Sequence, residues 1–187
     1  MKKNIVIAIA CISMLTFAAC KKEKSAPTPD EQELITTVKI TLSDDAGFNQ
    51  TFEYKVENGF SSGTSAIEID TVKLNANKTY SAVLTVLNEK ASPVEDITAE
   101  IIEKSYEHLF VFASAPASGN GSVSVADGNK DSNGKPLNQT FQLTTSTAGK
   151  GTFRVTLMHQ PTDKNGTTPE TAGGETDLDA TFPVSLQ

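Results

Sequence analysis

Cysteine, tryptophan and histidine are scarce in this 187-residue sequence, which has two cysteines, two histidines and no tryptophan. Both cysteines, Cys11 and Cys20, lie near the amino terminus, so the rest of the chain cannot form a disulfide, a thiolate metal site or a cysteine nucleophile. Extracellular sugar-binding modules usually stack their ligands on tryptophan or tyrosine. The absence of tryptophan, with only three tyrosines, therefore disfavours a carbohydrate-binding module.

Basic residues are also in the minority, with 16 lysines and arginines against 23 aspartates and glutamates, a net charge of −7. An acidic protein repels the phosphate backbone, so we expect no nucleic acid among its partners. The length suits one domain that buries a core without disulfides or metal ions.

The amino terminus has the order of features found in a secretory signal peptide. Two lysines precede an apolar run over residues 5–17, which is too short for a membrane-spanning helix of roughly 20 apolar residues. Ala18 and Ala19 follow and are small enough to lie extended in a peptidase groove. The next residue offers the thiol that takes the diacylglyceryl group of a bacterial lipoprotein. We therefore predict a signal peptide over residues 1–19 and lipidation of Cys20.

The predicted anchor divides the chain into three parts. Residues 20–33 are polar, contain two prolines and are expected to form a flexible tether from the lipidated cysteine. Residues 34–187 then form the folded domain, which would be held at the outer membrane and face either the periplasm or the cell surface. The alternative is an ordinary signal peptide cleaved elsewhere, with Cys20 incidental.

The folded domain is dominated by short segments in which apolar and polar residues alternate, often with threonine or β-branched residues. We predict an all-β fold with one short helix, an antiparallel Ig-like or Greek-key β-sandwich of about nine strands. A small barrel is the alternative, because periodicity does not distinguish the two. The predicted strands cover residues 35–42, 51–56, 66–74, 79–87, 109–113, 122–125, 140–144, 151–158 and 181–186.

The period changes once, after a capping-box pattern that begins at Ser92 and has proline at the first helical position. This pattern predicts a helix over residues 93–105. The residues expected on its core side are Val94, Ile97 and Ile101, with Ile102 beside them. The residues expected outside are Asp96, Glu100, Glu103 and Lys104.

The two histidines each lie at the edge of a predicted strand. His108 enters the strand over residues 109–113, and His159 leaves the strand over residues 151–158. If these strands are neighbours, the imidazoles can meet, and Glu103 and Glu107 near the helix end can join them. Imidazole with carboxylate suits Zn, Cu or Fe. The alternative is a pair of solvated histidines at strand ends.

A second group of oxygen side chains alternates along a turn cluster. The residues are Asp127, Asn129, Asp131 and Asn133, and Gly134 follows them. This spacing partly matches a calcium-binding loop but lacks the glutamate at the twelfth position. The alternative is a turn, because Asn, Asp, Ser and Gly favour turns for backbone reasons.

The pattern G-x-S-x-G over residues 59–63 is the one motif typical of a hydrolase. In a hydrolase the serine lies on a sharp turn between a strand and a helix. A strand follows here, so we interpret the motif as a loop and predict that the protein is not an enzyme.

Six stretches carry a resemblance to a known family: Leu87-Asn88-Glu89, Glu95-Asp96-Ile97-Thr98-Ala99-Glu100, Glu107-His108, Asp131-Ser132-Asn133-Gly134, His159-Gln160-Pro161 and Ala172-Gly173-Gly174-Glu175-Thr176-Asp177. They resemble outer-membrane lipoproteins from Bacteroidota that carry the label "type 1 periplasmic binding fold superfamily protein". The label implies an α/β ligand-binding fold, whereas the strand-rich sequence predicts an all-β one. The resemblance implies an envelope location and a lineage, and assigns no activity.

Together these features predict a lipid-anchored, non-catalytic binding or accessory protein of the cell envelope, which needs no cofactor. Its expected partners are the membrane, through Cys20, and a neighbouring outer-membrane receptor or transporter. The alternative is a metal-binding envelope lipoprotein that holds a divalent ion with His108 and His159.

Overall fold

A computed structural model describes residues 34–62 and 65–187. The predicted signal peptide, Cys20 and the predicted tether lie outside the described residues, and those predictions therefore remain predictions.

The alternating segments form eleven strands in the described part of the chain. Alternation produces strands here because successive side chains point to opposite faces, so one face can be buried while the other stays polar. The strands are β1 (Thr37–Ser43), β2 (Asn49–Val56), β3 (Ile67–Ile69), β4 (Val72–Leu74), β5 (Thr79–Asn88), β6 (Glu95–Asp96), β7 (His108–Ala115), β8 (Val123–Ala126), β9 (Thr140–Thr145), β10 (Gly149–His159) and β11 (Glu175–Leu186).

The strands form two sheets. The large sheet has seven strands in the order β3-β2-β1-β5-β9-β8, with β6 paired to β5, and the small sheet has four in the order β4-β11-β10-β7. All pairs are antiparallel except β4 with β11. The predicted all-β sandwich with a short helix is confirmed, with more strands than the nine expected.

The core lies between the two sheets. On β1, Val38, Ile40 and Leu42 are buried and pair with residues of both β2 and β5, so three neighbouring strands present one apolar face. Aromatic rings join this face to the small sheet: the ring of Tyr54 on β2 meets that of Phe182 on β11 edge-on, at 5.7 Å between ring centroids. Such contacts between facing layers hold a sandwich together.

The predicted strand over residues 66–74 is wrong in one respect, because the chain breaks it into β3 and β4. The break falls at Asp70, whose side chain accepts a hydrogen bond from the Glu53 amide at 2.9 Å and whose own amide donates to the Glu53 carbonyl. The chain then crosses from the large sheet to the small one, a change that alternation alone does not reveal.

The predicted helix is shorter than expected. Helix α1 covers Ile97–Glu103, and its N-cap is Asp96, whose carboxylate accepts from the Thr98 amide, so the box predicted at Ser92 does not cap it. A 3-10 turn over Ser105–Glu107 follows, and an unpredicted second helix, α2, covers Pro169–Ala172. The core side of α1 is formed by Ile97, Thr98 and Ile101, whereas Val94 and Ile102 are exposed.

Residues 160–174, which we call the strap, connect β10 to β11 and contain α2. Ala172 of the strap packs on Leu109, Val111 and Met158, which face away from the main core. The strap thus covers the outer face of the small sheet at the end where β7 begins and β10 ends. This second apolar cluster is why the first four residues of β7 are buried on both faces.

Helix α1 is joined to β5 by one buried hydroxyl. Thr98 Oγ1 accepts from the Val86 amide at 2.8 Å and lies 3.2 Å from the Val86 carbonyl oxygen, to which it donates. The pairing of β5 with β9 ends at Val83, which lies opposite Thr140. At Val86 the Thr98 hydroxyl therefore makes the hydrogen bonds that a neighbouring strand would otherwise make.

We expect Thr98→Val to lower the free energy of unfolding by about 2 kcal/mol, because it leaves the buried Val86 amide and carbonyl without partners while keeping the side-chain shape. Urea unfolding at neutral pH measures this. Thr98→Ser is the matched control: it keeps the hydroxyl, loses one methyl group and should cost about half as much. Equal losses in the two variants would contradict the assigned role of the hydroxyl.

Candidate functional site

The two histidines lie side by side at one end of the small sheet. β7 and β10 are neighbours, and their register places His108 directly opposite His159. The imidazole rings stack with 5.0 Å between centroids and 8° between planes. From the sequence we predicted that the two imidazoles can meet if these strands are neighbours. The strands are neighbours, and the imidazoles do meet.

Each imidazole has an oxygen beside its Nδ1 atom. His108 Nδ1 lies 3.1 Å from the carbonyl oxygen of Lys104, which can only accept, so the neutral ring carries its proton on Nδ1. His159 Nδ1 lies 3.9 Å from an Asp177 carboxylate oxygen. The pair is therefore oriented by the end of α1 on one side and by the start of β11 on the other.

The electrostatic environment favours the neutral form of His108. Burial lowers the pKa of His108 below its ordinary value, and the hydrogen bond to the Lys104 carbonyl opposes this change only in part. His159 and Lys164 lower the pKa further by repelling a second positive charge, while Glu107 opposes them. The stacked rings thus lie in surroundings that resist protonation of His108.

A lysine from the strap fixes the segment next to the histidines. Lys164 Nζ donates to the carbonyl oxygens of Ser105 and His108 and lies 3.5 Å from an Asp131 carboxylate oxygen. Burial lowers the pKa of Lys164, and the Asp131 carboxylate opposes the shift. Gly174 closes the strap with a positive φ of 83°, where a Cβ atom would lie 2.3 Å from the His159 carbonyl oxygen.

The calcium-like loop uses its central oxygen atoms within the protein. Asp131 Oδ1 accepts from the amides of Asn133 and Lys135, each at 2.9 Å, and Asn129 Oδ1 accepts from the Thr140 amide at 3.0 Å. Burial alone would raise the pKa of Asp131, but the two amide hydrogen bonds and Lys164 outweigh it and lower that pKa. Both side chains thus satisfy the backbone of a turn.

The outer members of that loop are exposed. Asp127 has a positive φ of 52°, and Asn133 enters the hydrogen bonding only through its backbone amide. Calcium binding therefore remains a prediction that this geometry does not favour, because only Asp127 and Asn133 keep side chains directed to solvent.

The predicted metal ligands come together only in part. Glu107 adjoins His108, but Glu103 is exposed on α1. The described residues contain no cluster of three or more His, Cys, Asp or Glu side chains that could hold a metal ion. Two stacked, nearly parallel imidazoles also direct their lone pairs in parallel planes, so one ion cannot lie in both ring planes unless a ring turns.

The G-x-S-x-G loop lies away from the histidines. Ser62 Oγ donates to the Gly59 carbonyl at 2.7 Å and lies 2.6 Å from Ser65 Oγ. A cavity of about 240 Å³ beside it is lined by Tyr54, Phe60 and Asp179 among others, with no histidine among the described residues that line it. The structure thus does not bring Ser61 or Ser62 together with an imidazole base.

The fold and this site define an all-β sandwich with a pair of stacked histidines, one buried and one half-buried, beside a strap. Comparisons of the chain with protein-family models, curated proteins and solved structures found no match.

Sequence reasoning missed two residues that organise the site, Lys164 and Asp177. Both lie in or beside a polar loop whose composition is that of any surface connection. Their roles depend on how the strap folds back over β7 and β10, for which the sequence carries no periodic signal.

We expect acidification from about pH 7.5 to about 5.5 to lower the free energy of unfolding, by up to about 1.4 kcal/mol per pH unit. The unfolded chain takes up a proton on His108 near the ordinary pKa of 6.5, whereas the folded protein, with its lowered pKa, does so only at lower pH. Urea unfolding across this range measures the slope.

His108→Phe keeps a stacking ring that cannot be protonated. It should be less stable at neutral pH, because the Lys104 carbonyl loses one of its two donors and keeps only the Glu107 amide. Its stability should also vary less between these pH values. The carboxylates whose pKa values are lowered titrate below this window and do not obscure the comparison. An identical slope in both proteins would exclude His108 as the source.

We expect Lys164→Met to lower the free energy of unfolding by about 2 kcal/mol, because two carbonyl oxygens and the buried Asp131 carboxylate lose a cation. Asp131→Asn keeps an acceptor for the two amides and serves as the second arm of a double-mutant cycle. The double variant should be destabilised by less than the sum of the single losses, by at least about 0.5 kcal/mol. Additive losses in urea unfolding would show that the pair does not interact.

Proposed function

We propose that this protein is a lipid-anchored binding or accessory domain of the bacterial outer membrane. The observation that carries the proposal is the cysteine at position 20, which follows a charged segment, an apolar run and two alanines. Removal of the signal peptide would leave a sandwich domain that contains no cysteine. Acyl chains on Cys20 and a polar tether would connect this domain to the membrane. Its partner is a neighbouring receptor or transporter.

Two observations support a binding role over a catalytic one. The serine of the G-x-S-x-G loop and the histidines lie in different parts of the fold. The polar side chains at the histidine end serve backbone groups and ion pairs. The resemblance to Bacteroidota outer-membrane lipoproteins implies the same location. Among the described residues, no helix has the length and apolar character needed to cross a membrane.

We expect cells that express the full chain to incorporate labelled palmitate into it and to retain it in the membrane fraction. Cys20→Ala should abolish the label and prevent acyl anchoring, because the thiol is the acceptor. Gel fluorography after a palmitate chase measures the first result, and membrane fractionation measures the second.

Cys11→Ala is the matched control, since it removes the other cysteine and leaves the predicted acceptor intact. It should label like the unaltered chain. Label that survives Cys20→Ala, or that Cys11→Ala removes instead, would end the proposal.

A second candidate, a metal-binding envelope lipoprotein, is favoured by the adjacency of His108 and His159. The stacked geometry requires one ring to turn before both can ligate one ion. Calorimetric titration with Zn²⁺ and Cu²⁺ decides between the candidates. The second requires binding that is lost in a His108→Ala/His159→Ala variant, and unchanged binding there would remove it.

A further inference from the structure

The segment that contains helix α1 and the turn after it exposes several large apolar side chains. Among the described residues, seven large apolar side chains are exposed, and three of them fall between residues 94 and 107. They are Val94, Ile102 and Tyr106, with 56%, 50% and 54% of their surfaces accessible. Exposed apolar groups that cluster in one segment indicate an interaction surface, whereas scattered ones need no explanation.

Helix α1 cannot turn its exposed apolar residues into the core, because the core side of the helix is already occupied. Its inner side is already filled by Ile97, Thr98 and Ile101, and Thr98 is fixed by its hydrogen bonds to β5. Ile102 lies in the last turn of α1, and Tyr106 lies in the 3-10 turn that follows directly, so both are exposed at the carboxyl end of this segment. The segment thus has some apolar side chains in the core and others in solvent.

Acidic residues are frequent along the same segment. Residues 94–107 contain five acidic residues and one lysine, Lys104, which forms an ion pair with Glu100. Glu103 is exposed between Ile102 and Tyr106 in the sequence. The surface therefore combines an apolar centre with a strong excess of negative charge.

We propose that the α1 patch, formed by Ala99, Ile102, Glu103 and Tyr106, docks a partner protein through a surface that is basic and presents an apolar recess. Charge complementarity selects this occupant, because a basic rim would neutralise the carboxylates while the recess covers the isoleucine and the tyrosine. This inference deepens the proposed accessory function by stating the chemistry of its partner, and it rests on that function.

The same charges disfavour the other occupants. A second copy of the chain in a two-fold arrangement would place two acidic segments against each other. An anionic lipid surface would be repelled by the carboxylates at this face. The patch differs in this respect from Val83, which is exposed on the large sheet without such a concentration of acidic residues around it in the sequence.

The experiment uses the full chain in zwitterionic nanodiscs and, as a probe, a short amphipathic helix of leucine and lysine. Hydrogen exchange followed by mass spectrometry should show protection by the probe over residues 94–107. A helix of leucine and glutamate should give no protection there. Raising the salt concentration from about 50 mM to about 500 mM should weaken binding of the basic probe, because exposed charges are then screened.

The double variant Ile102→Ser/Glu103→Lys should weaken binding at least about tenfold. The matched control Val83→Ser/Glu68→Lys changes an exposed apolar residue and an exposed acid elsewhere, and it should change affinity by less than about twofold. Any of four results would overturn the proposal. These are equal losses of affinity in both variants, protection spread over the whole surface, binding of the acidic probe, and self-association through the patch in sedimentation. Neither the exchange pattern nor the probe affinity reports acylation, so a failure of this test would leave the palmitate result unaffected.

Discussion

The burial of two facing apolar layers is the constraint on which the rest of this domain depends. No cysteine follows position 20, so no disulfide can restrain the unfolded chain of the domain, and the sheets must hold each other by contact alone. The inward rows of β1, β2 and β5 meet β10 and β11, and aromatic contacts such as that of Tyr54 with Phe182 join the layers. The short helix and the strap add to this core at its edges.

The pairing of β7 with β10 shows how the same constraint creates the candidate site. Both strands carry buried residues on two faces near one end, because the strap covers the side away from the core. His108 and His159 sit at the limit of this doubly covered region, where the register makes them neighbours. Lys164 then holds the strap to the backbone beside His108. The histidine environment is thus a consequence of how the small sheet is closed.

Alternation was enough to predict an all-β fold and most of its strands, because a one-residue shift would move an entire apolar row into water. It did not distinguish a sandwich from a small barrel, since both bury one face of each strand. Residues such as Ile40 and Leu84, which lie in predicted strands, follow this rule and are buried. The start of α1 was predicted wrongly, because the pattern at Ser92 resembles a capping box whereas the helix is capped by Asp96. The meeting of His108 and His159 was predictable only on the condition that their strands are neighbours. The position of Lys164 was not predictable, because Lys164 lies in a loop whose sequence has no hydrophobic periodicity.

In the described residues, the buried polar groups are used within the fold, whereas the unexplained features lie on the surface. Every buried side-chain nitrogen or oxygen there has a hydrogen-bond partner. Asp131, Thr98 and Lys164 form hydrogen bonds with backbone groups, and Asp131 also pairs with Lys164, so these side chains stabilise the fold. The features that stability does not explain are on the surface, where Ile102 and Tyr106 remain exposed at the cost of solvation free energy. That division is the physical basis on which we propose recognition through a surface.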